Sequence, residues 1–304
     1  MPYDSIVCVK QVPDTANITA EAMKDDGTVN RAALPAIFNP EDLHALETAL
    51  DVRDQYGGTV TVVTMGPPKA GDVLRDSLFR GADRAILLTD RRAAASDTLA
   101  TSYILAQAIQ TIGRFDLVFC GRQAIDGDTA QVGPQCAEKL GIPQITYLEE
   151  LVSLHDRVAR VRRNIGHGWE IVEARLPVLI TVIESANVPR PQAAKRVMRL
   201  KRAKVNSEIA MEVKNAMPDA SPEQLTAETN RRADELKAAG LLLEQWDLEA
   251  IHADLQRCGL AGSPTKVHRV QAIVLTKEGF TEVQPTEAGI GQMVHELVVD
   301  RTWG

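Results

Sequence analysis

The chain has 304 residues, 44% of them hydrophobic and 25% charged, which is the make-up of a soluble globular protein with a sizeable core. Acidic residues outnumber basic ones, 41 to 34, for a net charge of −7, which argues against a nucleic-acid surface as the main purpose. No apolar run approaches the roughly 20 residues that cross a bilayer, so no membrane insertion is expected.

The first half alternates between strand and helix patterns. "MPYDSIVCVKQ" reads as the start of a strand rather than a signal segment, and "SIVCVK" is its apolar core. "PEDLHALETALDVRDQY" has leucines at helical spacing, with Pro40, Glu41 and Asp42 in a first turn that favours proline and acids. "TVTVVTM" is a second strand, and "GPPKAGDVLRDSLFRGA" a turn, a helix and a glycine stop. "RAILLTD" is a third strand, followed by the helix "SDTLATSYILAQAIQTIG", which Ser96 or Asp97 can cap. "FDLVFCG" is a fourth strand, and "GRQAIDGDTAQVGPQ" leads from it into a fourth helix.

Apolar strands alternating with helices predict an α/β fold, a mostly parallel sheet covered by helices on both faces. The chain then changes character. "ITYLEELVSL", "VARVRRNI", "EIVEARL" and "VLITVIES" read as strands in antiparallel or mixed pairing, with a hairpin turn at "NIGHGWE". Beyond Lys201, "SPEQLTAETNRRADELKAAGLLLEQ" reads as a solvated or partner-facing helical stretch. "GLAGSPTKV" is a glycine–proline break, and "TEAGIGQMVHELVVDRTWG" a last helix. Its apolar face (Ile290, Met293, Val294, Leu297, Val298) needs a surface to dock on, which a second chain could provide. These shifts predict an α/β domain over 1–204, a helical insertion and linker over 205–260, and a C-terminal arm over 261–304.

Ligands of such sheets bind at the carboxyl ends of the strands, near the topological switch point. That rule selects four loops rich in Gly, Pro, Asp, Thr and Ser: "KQVPDT", "TMGPP", "TDRRAAASDTLATS" and "GRQAIDGDTAQ". A helix N-terminus binds anions through free N–H groups without any lysine. Hydroxyls at Ser96, Thr98, Thr101 and Ser102 open one helix, and Thr129 and Gln131 precede another. Two such sites on one edge suit a diphosphate, or a phosphate with sugar hydroxyls. Asp126 and Asp128 repel phosphate but can accept from ribose or ribityl hydroxyls. The competing reading makes Ser96, Asp97 and Asp128 ordinary helix caps.

The G-x-G-x-x-G fingerprint and the Walker A loop are absent, which disfavours a standard dehydrogenase and a P-loop NTPase. No G-x-S-x-G elbow or Ser/His/Asp set appears. Cys8, Cys120, Cys136 and Cys258 are scattered, without C-x-x-C or nearby histidine pairing, so buried reduced thiols in a cytoplasmic protein are expected and a metal site is not. A nucleotide site without a catalytic acid, base or nucleophile fits a protein whose cofactor carries the chemistry.

"VKQVPDT", "FNPEDLHALETAL", "TMGPP", "GADRAILLTD", "GRQAIDGDTAQVGPQ" and "RRNIGHGWEIVEARLPVLITV" follow the order found in the β subunit of electron-transfer flavoproteins, which the first 200 residues resemble. "GLAGSPTKV" and "TEAGIGQMVHELV" resemble that family's C-terminal region. The resemblance implies a Rossmann-like sheet of the adenine nucleotide α-hydrolase type and an obligatory α-subunit partner.

Ordinary members hold AMP in the β subunit and carry electrons from acyl-CoA dehydrogenases toward a quinone reductase. Electron-bifurcating members hold a second FAD there, which takes hydride from NADH. One electron goes to the α-subunit FAD and a dehydrogenase of acyl-CoA or lactate type, the other to ferredoxin or flavodoxin. "SDTLATS", "VPDT" and "GSPTKV" resemble the bifurcating and nitrogen-fixation groups. The resemblance places the adenine and ribose by Val9, Asn39 and the segment Gln123, Ala124 and Ile125. It places the diphosphate by Asp97, Thr98, Thr101, Thr129 and Gln131. The turn Thr64, Met65, Gly66 and Pro67 and the loop Val12, Pro13 and Asp14 approach the flavin and the nicotinamide. Gly121, Arg122, Asp126, Gly127 and Asp128 complete the pocket. A third reading, a nucleotide-binding stress or signalling module, expects G-x-x-G-x(9)-G-[ST] after a late strand, and the final glycine–hydroxyl pair is missing. The stretch 206–245 is longer and more charged than the family pattern.

Overall fold

The computed structural model describes residues 2–14, 34–265 and 282–299. The chain opens with β1 (Ser5–Cys8), β2 (Gln11–Pro13) and β3 (Ala36–Phe38), then α1 (Pro40–Tyr56), β4 (Val60–Met65), α2 (Gly71–Arg80), β5 (Arg84–Leu88), α3 (Thr98–Ile112), β6 (Leu117–Gly121) and α4 (Val132–Leu140). A meander follows, β7 (Gln144–His155), β8 (Val158–Asn164), β9 (Trp169–Arg175) and β10 (Val178–Val182). Next come α5 (Ala194–Leu200), α6 (Asn206–Ala216), α7 (Pro222–Ala238), β11 (Glu244–Trp246) and α8 (Glu287–Val299).

One nine-stranded sheet runs β11-β5-β4-β1-β6-β10-β7-β8-β9. The strands from β11 to β7 are parallel, and β8 and β9 continue it antiparallel. The second half is therefore mixed. After β7, β8 and β9 have run outward, β10 returns to fill the gap between β6 and β7. Its "VLITV" is buried at every position, as a strand covered on both faces must be, whereas β7 and β9 alternate in exposure.

Successive residues of a strand face opposite sides, and the core divides accordingly. Val7, Val62, Phe119 and Ile180 pack with Leu46, Leu50 and Leu74 of α1 and α2. Ile6, Val63, Ile86, Val118 and Leu179 pack with Ile104, Ile109 and Ala137 of α3 and α4. Each fully buried aliphatic or aromatic side chain contributes about 1.5–3 kcal/mol relative to exposure.

The stretch read as helical beyond Lys201 holds more than helix. α6 and α7 share a small core of Ile209, Val213 and Ala233, and Ser221 with Gln224 forms a capping box on α7. β11 then joins the parallel sheet beside β5, and Leu248 and Ile251 enter the α3 side of the core. The strand is only three residues long and has no apolar run, so its local pattern carries no signal. Backbone pairing with β5 places it, and Arg84 adds to the contact: Glu244 meets its guanidinium at 2.6 Å, and the Trp246 ring lies 5.5 Å from it. Among the described residues no helix is long and apolar enough to cross a membrane.

Candidate functional site

From β1 the chain builds outward to β4 and β5, then crosses back to β6 on β1's other side. The switch point therefore lies between β1 and β6, and the loops that follow them diverge around a crevice. Val9, Val12, Pro13 and Asp14 follow β1, with Gln11–Pro13 held by antiparallel pairing to β3. Gly121 to Gln131 follow β6, Thr64 to Pro67 end β4, and Asp97, Thr98 and Thr101 begin α3. The sheet thus gathers these expected residues at one edge; Thr15 lies outside the described residues.

The first turn of α1 ties the two diverging loops together. Asn39 sits at the N-cap position but does not cap. Its buried amide donates from Nδ2 to the Gln123 carbonyl at 2.9 Å and accepts from the Ile125 N–H at 3.1 Å. The side chain expected beside adenine is thus committed to shaping the segment beside it. Glu41 accepts the Gln123 N–H at 2.8 Å and pairs with Arg122 at 2.6 Å. Asp42 accepts the Lys10 N–H at 2.8 Å and the Gly121 N–H at 3.0 Å, so one carboxyl bridges the ends of β1 and β6. From sequence these acids read as partners of the helix dipole. Their role as clamps needs the β1–β6 adjacency, which local pattern does not contain.

Burial pushes the Asp42 carboxyl up to about 7, against the opposing pull of the hydrogen bonds to Asn39, Lys10 and Gly121. The folded state therefore holds this proton to higher pH than the unfolded chain. Its contribution to stability is full below about pH 4 and falls as pH rises toward 7. The stability gap between wild type and Asp42→Asn is expected to narrow from pH 5 to pH 8, by at most about 1.4 kcal/mol per pH unit. Urea unfolding of both proteins at pH 5, 6, 7 and 8 measures it; a constant gap would mean the group does not titrate in this window.

Lysine does reach the loop after β6, though not from the loop itself. Lys10 Nζ lies 2.7 Å from Asp126 Oδ1, which offsets the charge expected to repel phosphate. At the other end of the crevice Thr98 Oγ1 donates to Gln131 Oε1 at 2.9 Å, joining the starts of α3 and α4. Asp97 caps α3 by accepting the Ala100 N–H at 3.0 Å. Burial would raise its pKa, but the N–H donors of Ala100 and Thr265 outweigh that and hold it below the usual carboxylate range. α4 has no side-chain cap. The two helix starts therefore differ: α3 is closed by its own carboxylate, and α4 leaves the Val132 and Gly133 N–H groups without a capping side chain, Pro134 having none. Asp128 and Ala130 lead into α4 with φ of 50° and 52°, a left-handed backbone that costs non-glycine residues roughly 1–2 kcal/mol each. Asp128 is no cap, and Thr129 and Gln131 are exposed.

Thr64 adds a test of what the crevice can hold. Its hydroxyl is buried at the end of β4 and has no hydrogen-bond partner among the described residues. A buried hydroxyl left unpaired costs about 1–3 kcal/mol, so one at a ligand-binding edge fits a group that completes it. An adenine nucleotide or a flavin nucleotide brings such a group, together with a phosphate that suits the uncapped start of α4. To one side, a cavity of about 660 Å³ is lined by Arg122, Tyr147, Arg163 and Asn164, with Arg122 5.8 Å from the Tyr147 ring. Of its lining residues only Arg122 belongs to the expected set. Cys8 and Cys120 are register partners beneath the crevice, and hydrogen bonding to Cys8 and burial push the Cys120 thiol well up, so it is a core group rather than a nucleophile.

The sequence matches the electron transfer flavoprotein domain model over residues 26–208. The chain belongs to the electron transfer flavoprotein β-subunit family. It is 38% identical to the electron transfer flavoprotein subunit beta of Clostridium acetobutylicum over 96% of each chain. It is 43% identical to protein FixA of Bradyrhizobium diazoefficiens, over 98% of this chain and 92% of that one. It is 36% identical to subunit CarD of the caffeyl-CoA reductase-Etf complex of Acetobacterium woodii, over 98% and 94%. Membership in a β-subunit family implies an α-subunit partner, and the family is associated with flavin or AMP.

Proposed function

We propose that this chain is the cytoplasmic β subunit of a heterodimeric, electron-bifurcating electron-transfer flavoprotein with FAD in the β1–β6 crevice. The flavin supplies hydride acceptance from NADH and single-electron release, one electron toward the α-subunit FAD and a dehydrogenase of acyl-CoA or lactate type, the other toward ferredoxin or flavodoxin. The observation that carries the reading is the convergence of polar groups on the crevice: the unpartnered Thr64 hydroxyl, the uncapped α4 start and the Thr98–Gln131 pair. Similarity to CarD of a reductase-Etf complex supports it.

In this reading the chain binds and orients. The Asn39-pinned segment Gln123–Ile125 presents backbone to the adenine. Thr129, Gln131 and the first N–H groups of α4 receive phosphate. Thr64 and the Met65–Pro67 turn meet the ring. Residues 1–204 form the nucleotide-binding part, 205–260 an added helical part, and 261–304 an arm that docks on the α subunit.

One observation favours the second reading, structural AMP in an electron-transfer flavoprotein that serves a quinone reductase. Asp97 closes α3, which leaves one open helix start, and one phosphate needs only one. The FAD and AMP content of the co-purified α–β complex separates the readings. Two FAD and no AMP per heterodimer support bifurcation; one FAD and one AMP make the crevice structural.

The arm makes a separate prediction. α8 exposes Ile290, Val298 and Val299 and buries no residue of its own. A chain ending at Thr265 is expected to keep its far-UV circular dichroism for the sheet yet fail to co-purify with the α subunit. Normal co-purification would show that the arm is not a docking element.

A further inference from the structure

A second concavity, of about 320 Å³, shares no residue with the loops after β1, β4 or β6. Leu99 and Tyr103 of α3, Lys139 of α4 and, from the strap Gln256–Pro264, Gln256, Arg257 and Ala261 to Pro264 line it. None of its lining residues is acidic. That is unusual in a chain with 41 acidic residues, where most arginines near the sheet sit against a carboxylate. Neither Arg257 nor Lys139 makes an ion pair among the described residues.

Arg257 is nonetheless held in place. Its guanidinium carbon lies 3.9 Å from the centre of the Tyr103 ring. The ring is fixed in turn, because the Tyr103 hydroxyl accepts the Asp254 N–H at 2.9 Å. A guanidinium stacked this way keeps its N–H edge for an anion, and it loses little freedom on binding one.

The strap is equally built. Ser263 is buried, and its Oγ accepts the Asp97 N–H at 2.8 Å and donates to the Gly259 carbonyl at 2.6 Å. Gly259 has φ of 56°, and a Cβ there would fall 2.1 Å from the Arg92 carbonyl oxygen. At Gly262 a Cβ would fall 2.0 Å from the Arg257 carbonyl carbon. Gly259 lets the strap press against the Arg92 backbone and Gly262 lets it fold tightly on itself, so the wall of the concavity is set before any ligand arrives.

We propose that this concavity binds a phosphate-bearing small molecule, with Arg257 and Lys139 as its two cations and the Ser263-anchored strap as its wall. A planar guanidinium matches phosphate oxygens through paired N–H groups, and a lysine adds a mobile point charge. Two cations without a counter-ion suit a dianion better than a single carboxylate. The volume is at the small end for ligand sites, with room for a phosphate and a sugar but not for a dinucleotide. The site borders the crevice at the start of α3, where the strap takes the Asp97 N–H and Leu99 lines the concavity, but neither Arg257 nor Lys139 is among the crevice residues.

The test is isothermal titration of the full-length chain, co-purified with its partner and saturated with FAD, using inorganic phosphate and ADP as probes. At least one probe is expected to bind. Arg257→Gln and Lys139→Gln are each expected to weaken it about tenfold, as loss of one charge-assisted contact does, and the double variant to abolish it. Arg257→Lys, which keeps charge without the stacked plane, is expected to fall between. Flavin content and the unfolding midpoint are expected to stay at wild-type values. Binding of both probes would show that free phosphate suffices, and binding of ADP alone would point to a nucleotide. Binding of neither, or equal binding by wild type and the double variant, would overturn the proposal.

Discussion

Gly121→Ala is expected to be among the most damaging single-methyl changes in the crevice. Gly121 ends β6 where the first turn of α1 crosses the strand. A Cβ there would lie 2.5 Å from Asp42 Oδ1 and 2.8 Å from both the Asp42 nitrogen and the Glu41 carbonyl carbon. Two of those atoms are backbone, so no rotamer change relieves the clash. α1 must move off the sheet, and the Gly121–Asp42 hydrogen bond goes with it. Overpacking of this kind costs about 1–3 kcal/mol, and the lost buried contact adds about 1–3 kcal/mol. Urea unfolding reads the loss, and nucleotide content of the purified complex reads its effect on the site. Both are expected to fall together. Wild-type stability with full nucleotide content would mean that α1 does not clamp this edge.

Asn39→Ala is the second large effect. The amide has no solvent exposure and serves two backbone groups at once, the Gln123 carbonyl and the Ile125 N–H. Alanine leaves both without a partner, at about 1–3 kcal/mol for each buried group left unsatisfied. Asn39→Asp keeps an acceptor for Ile125 but turns a carboxylate toward the Gln123 carbonyl, beside Glu41 and Asp42, so it is not expected to rescue the loss. The segment Gln123–Ile125 then loosens, and nucleotide retention is expected to drop more than global stability does. Dissociation of nucleotide during gel filtration, compared with the unfolding midpoint, separates the two. An alanine variant that unfolds early yet keeps its nucleotide would place Asn39 in the core alone.

Legibility from sequence followed the range of the interactions. α1 was readable end to end, because leucine spacing, Pro40 and the terminal glycine are all local signals. α3 was readable with its cap narrowed to Ser96 or Asp97, and the structure gives the role to Asp97. β11 was not, because three residues gain strand geometry only from the edge of β5. Among the site residues, the loops after β1, β4, β5 and β6 could be chosen from composition and the rule for parallel sheets. Lys10, Glu41 and Asp42 could not be given their roles, since Lys10 lies 116 residues from Asp126, and Asp42 lies 79 from Gly121.

The sequence by itself determined the parallel α/β architecture and the set of loops at the strand ends. Those follow from periodicity and from turn residues, which act over a few neighbours. It also determined the absence of the dinucleotide and Walker A fingerprints. Tertiary structure alone decided that β10 runs between β6 and β7, and that the switch point falls between β1 and β6. It alone decided that one buried carboxyl joins the two strand ends there, and that one helix start is closed while its neighbour stays open. These depend on which distant segments meet, and hydrogen-bonding groups taken out of water must find their partners across that distance rather than along the chain.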